Sequence, residues 1–135
     1  MTSISDTIRL ALHIGAASIW LGGQLVLASI VPAVARENRA VLPVIAKQFA
    51  RIAWPAFAVL VLTGMWSLMT IDISATDGRT QVAVFVKIIV GVMSGVAAAV
   101  HAVGTSRLAK AVGGAVGLLA AMVALVLGIL IRTGG

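Results

Sequence analysis

The sequence predicts an all-α integral membrane protein, a four-helix transmembrane bundle running up-down-up-down with both termini outside. Composition, the length of the apolar runs and the placement of the cations carry that prediction. Of 135 residues, 61% are hydrophobic and only 10% charged, and the mean hydropathy is +1.14. A soluble domain is about a quarter charged, so lipid must solvate most of this surface. The formal charge of +6 does not indicate nucleic acid, because the cations punctuate apolar runs and form no stripe interleaved with stacking aromatics. With no cysteine in the chain, disulfides and thiolate chemistry are excluded.

Residues 1–135 are read as one domain with helices over about 8–35, 43–71, 82–104 and 112–131. Each apolar stretch reaches the roughly 20 residues that cross a hydrocarbon core of about 30 Å. No alternating pattern of the kind a membrane strand needs is present, and helices satisfy the backbone where water cannot. The opening MTSISDTIRL has neither the basic start nor the small-residue cleavage site of a secretory signal. The first run is therefore expected to be a retained span.

Arg36, Arg39, Lys47 and Arg51 surround the first break, and Arg107 and Lys110 the third. The other side carries Arg9, Arg79 and Arg132 accompanied by Asp6, Asp72 and Asp77. Positive residues favour the cytoplasm, which sends both termini outward. Short breaks make successive helices antiparallel. Pro55 inside the second span is expected to kink it. The pairs Gly91/Gly95 and Gly113/Gly117 let backbones approach in lipid, either within one bundle or at a homodimer seam.

Ionisable groups inside a membrane cost a few kcal/mol, which singles out His13, Lys87 and His101. His13 lies roughly 7–8 Å below the outer boundary, Lys87 at about the same level, and Met65 about 9 Å down, taking about 1.5 Å per residue. Trp66 and Met69 are near that layer. Imidazole with thioether suits copper(I), or haem iron with His/Met ligation; Met is also an ordinary gap-filler. Lys87 either snorkels to the headgroups or meets the carboxylate or quinone-like oxygen of a ligand. His101 lies roughly 20 Å from His13 in depth, which rules out a bis-His clamp and suits an interfacial structural role or a second, weaker site. No Ser/His/Asp set converges at one depth, so a hydrolase is not expected.

The first span, LHIGAASIWLGGQL, with His13, Trp20, Gly22 and Gly23, resembles the opening helix of the bacterial copper-resistance protein D family. The stretch from Arg51 to Leu62, Thr63 and Gly64 is similar to that family's second helix, and VFVKIIVGVMSGVAAAVHAVGTSRL, with Lys87 and Arg107, to its third. The resemblance covers residues from about 8 to 131. It implies a multi-pass protein of the bacterial inner membrane that binds or moves copper. The shared depth of the side chains makes His13 the expected main ligand and Met65 or Met69 the second, with Lys87 a nearby charge that orients the ligand or moves protons, and Trp20 and Trp66 beside the cofactor. A neighbouring resemblance, to HemJ-type protoporphyrinogen oxidases, matches His13 and Lys87 and implies haem b and oxidation of protoporphyrinogen. A non-catalytic accessory subunit of a larger membrane complex is the third reading.

Overall fold

A computed structural model describes residues 3–134. These residues are almost entirely helical, and four of the helical segments are long and apolar enough to span a membrane. The first segment, Ile4–Glu37, is continuous over 34 residues. It comprises α1 (Ile4–Ala17), one wide π-turn (Ser18–Gly22) and α2 (Gly23–Glu37). A 3-10 turn, Arg39–Val41, leads into α3 (Leu42–Met69). A second 3-10 turn, Ile73–Ala75, precedes α4 (Gly78–Val103), and α5 runs Arg107–Thr133.

The helices start where capping groups allow rather than where the apolar runs begin. Ser3 accepts from the backbone of Asp6, Asp77 from Arg79 and Thr80, and Ser106 from Ala109. Each cap satisfies amide donors that a first turn leaves open. The caps therefore carry α1, α4 and α5 about four or five residues beyond the expected starts near 8, 82 and 112. At the far end, Gly134 adopts φ 68° and closes α5 in the left-handed region. Pro55 lies inside α3, and the helix runs on through it.

The chain forms two compact units, residues 1–71 and 72–135, and each is an antiparallel helical hairpin. In the first, Arg9, His13, Ala16, Trp20 and Gly23 recur at spacings of four and three, a one-face period for packed helices. Arg9 meets Thr70, the residue that caps α3, His13 meets Thr63, and Gly23 faces Phe49, while Ala53 and Ala56 of α3 are buried. Trp20, 5% exposed, packs its ring 4.6 Å from Phe57 and 5.5 Å from Trp54. Gly23 leaves room for the Phe49 ring, which a Cβ at that position would strike.

The second hairpin closes on small residues. Gly113, Gly117, Ala120 and Ala121 of α5 are buried, as are Ser94, Gly95 and Ala97 of α4. A Cβ at Gly113 would stand 2.7 Å from the Ala97 carbonyl oxygen and 2.8 Å from the His101 amide. Gly113 and Gly117 thus serve the packing of α4 on α5. Gly91, by contrast, has nothing within 4 Å of where a Cβ would lie. Without a hydrophobic force between helices in lipid, close backbone approach and interhelical hydrogen bonds hold such a pair. Ser94 supplies one, its hydroxyl donating to the Gly117 carbonyl at 2.9 Å.

Candidate functional site

A series of polar residues follows the helix–helix seam of the first hairpin. Ser3 donates to one Asp6 carboxylate oxygen at 2.8 Å, and the other accepts from Arg9 Nη2 at 2.9 Å. Arg9 is 8% exposed, and its Nη1 donates to the Thr70 hydroxyl. Its Nε is buried and makes no hydrogen bond among the described residues. One turn further along α1, His13 Nδ1 lies 2.7 Å from Thr63 Oγ1. Thr63 is 4% exposed.

The Thr63 bond bears on the tautomer of the imidazole. The hydroxyl has one proton, and Oγ1 lies 2.6 Å from the Val59 carbonyl, which can only accept. The oxygen therefore accepts from His13 Nδ1–H, and in the neutral ring the lone pair stands on Nε2. A ligating histidine commonly shows this arrangement, with one nitrogen donating to a fixed acceptor while the other faces the metal. Ser67 and Thr70 back-bond to the carbonyls of Thr63 and Ser67, both at 2.9 Å. Their hydroxyls thus cost the helix no unsatisfied donor in an apolar setting.

Met65 and Met69 stand elsewhere. Met65 is two residues beyond Thr63, which at 3.6 residues per turn turns it about 200° round α3. It is 55% exposed and Met69 79%. Trp66 is 37% exposed on the flank. Trp20 lies seven residues beyond His13, about 10 Å along the seam, inside the aromatic cluster. Within this hairpin the imidazole meets a threonine hydroxyl, while the thioethers lie on another side of α3.

The second hairpin has its own polar series. Lys87, Ser94 and His101 are each seven residues apart, and all three face α5. The Lys87 ammonium crosses α5 at Gly128, where a Cβ would lie 2.8 Å from Nζ. His101 Nδ1 donates to the Lys110 carbonyl at 2.6 Å, and its ring lies over Gly114. His101 therefore ties the end of α4 to the start of α5. Among the described residues, no group of three or more His, Asp or Glu is gathered as a metal cage.

The residues missed by sequence reasoning are Thr63 as the hydrogen-bond partner of His13 and the Asp6–Arg9–Thr70 set. Their signal is the four-and-three spacing of Thr63, Ser67 and Thr70, opposite the same spacing in Arg9, His13 and Ala16. Together, the four apolar helices and their polar seams define a multi-pass α-helical membrane protein. No protein-family model, curated protein or solved structure matches the chain.

Proposed function

We propose that the chain binds a metal centre at the outer end of its first hairpin through His13 Nε2, and serves copper handling in a bacterial inner membrane. The observation behind this reading is the Thr63 acceptor, held by Val59, which orients a membrane-embedded imidazole as a ligand. The soft, weakly hydrated copper(I) ion suits imidazole, and the resemblance of the first three helices to copper-resistance protein D points the same way. In this reading the four spans run up-down-up-down with both termini outside. The six cations at the two hairpin loops support that orientation.

One observation favours haem b as a second reading. Copper(I) needs at least one further strong donor, and both thioethers of α3 stand on another side of that helix from Thr63. A single proximal histidine suffices for haem, which would supply redox chemistry when bound. In either case the residues of this chain do the same work. His13 offers the lone pair, Thr63 orients the ring, and the Arg9–Thr70 bond ties α1 to the end of α3.

Metal analysis and an absorption spectrum of protein purified from copper- and haem-replete cells test the proposal. Stoichiometric copper without a Soret band, lost in His13→Ala, supports the copper reading. A Soret band lost in the same variant moves the assignment to haem. Neither signal in the wild-type protein removes both.

A further inference from the structure

Each span of the first hairpin is longer than a membrane needs. At about 1.5 Å per residue, α3 measures about 42 Å against a hydrocarbon core of about 30 Å. Its apolar run begins only at Ile52, so Leu42–Arg51 lies at or beyond the headgroup level on the side of the connecting loop.

One stripe of α3 runs from that polar lead-in down the helix. Lys47, Arg51, Trp54, Ala58, Val61 and Met65 recur at spacings of four and three, and all six are exposed. The two cations are one turn apart. Arg51 reaches only the Gln48 side-chain oxygen, at 3.5 Å, and neither cation joins an ion pair among the described residues. Glu37 is the one acid of this hairpin's loop end. Trp54 stands about 10 Å below Lys47, with 38% of its surface open. Interfacial tryptophans occupy that level. Below it the stripe is apolar, with Val61 44% and Met65 55% exposed.

The geometry points to a binding site for an anionic phospholipid of the leaflet on the loop side. Its phosphate lies between Lys47 and Arg51, its glycerol at Trp54, and one acyl chain runs along Ala58 and Val61. Charge selects the occupant. Two uncompensated cations above an aromatic at the interface favour a headgroup with net negative charge over a zwitterionic one. The site does not depend on what His13 binds.

Brominated lipids quench tryptophan only at close contact, so they report the site directly. In a Trp66→Phe background Trp54 is the exposed indole, since Trp20 is buried. The full chain is reconstituted in phosphatidylcholine vesicles containing brominated phosphatidylglycerol or brominated phosphatidylcholine of the same chain length. The expected relative association constant favours the anionic lipid by at least about threefold, falling to about one in Lys47→Gln/Arg51→Gln. Both substitutions lie on the exposed stripe, and circular dichroism checks that the helices persist. A ratio near one in the parent protein overturns the proposal. So does a preference that survives the double substitution.

Discussion

Substituting Gly113 with alanine adds one methyl group at the tightest backbone approach of the second hairpin. The new Cβ would stand 2.7 Å from the Ala97 carbonyl oxygen and 2.8 Å from the His101 amide nitrogen. Both are helix backbone atoms, which cannot rotate away as a side chain does. Ordinary contacts to a methyl group begin near 3.4 Å, so α4 and α5 must part by several tenths of an ångström at this level. Overpacking of this kind costs about 1–3 kcal/mol. The separation also stretches the Ser94–Gly117 and His101–Lys110 hydrogen bonds, each worth about 0.6 kcal/mol on average in membrane proteins. Alanine's better helix propensity returns up to about 1 kcal/mol. The net expectation is a loss of about 1–3 kcal/mol, measured by titrating the protein in mixed micelles with a denaturing detergent and following helicity. Gly91→Ala is the control, because nothing lies within 4 Å of that Cβ. It is expected to be neutral or stabilising. Equal behaviour of the two variants would refute the packing argument.

Further outcomes follow from the same geometry. Thr63→Val keeps the shape but removes the acceptor from His13; metal or haem affinity should fall about 10- to 100-fold, read by competition with a chelator or by haem titration, with helicity unchanged. Gly128→Ala meets only the flexible end of Lys87, so its cost should stay below about 1 kcal/mol in the same detergent titration that reports on Gly113. Asp77 caps α4 by accepting from the backbone and hydroxyl of Thr80, which holds its carboxyl below the usual value of 3.8. Asp72 is held low in the same way, first by the Ser74 hydroxyl. A carboxyl lowered in the folded state stabilises above its unfolded value and loses that contribution as pH falls through the folded one. Stability should therefore decline below about pH 4, and Asp77→Asn should flatten that limb of the pH profile.

Hydropathy made the four spans legible, because apolar runs of this length have no other stable form. Their ends were not, since Ser3, Asp77 and Ser106 extend helices through polar residues that hydropathy counts as breaks. The candidate site shows a sharper limit. Depth follows from counting residues, and His13 and Met65 are near in depth. Rotation does not follow from depth, and two residues of helix turn Met65 about 200° from Thr63. The missing information was azimuth, and the four-and-three periodicity of Thr63, Ser67 and Thr70 held it. Arg9 illustrates the same point, because a cation near a span end reads as a topology signal. Its burial against Thr70 appears only once the helices are paired.

The tautomer of His13 tests the account most directly. Nitrogen-15 NMR of histidine-labelled protein in micelles, with His13→Gln assigning the signal, reports which ring nitrogen carries the proton. The expected result is a neutral ring protonated at Nδ1, whose Nε2 resonance alone moves when copper(I) or haem is added. A ring protonated at Nε2, or one whose nitrogens ignore both additions, would contradict it.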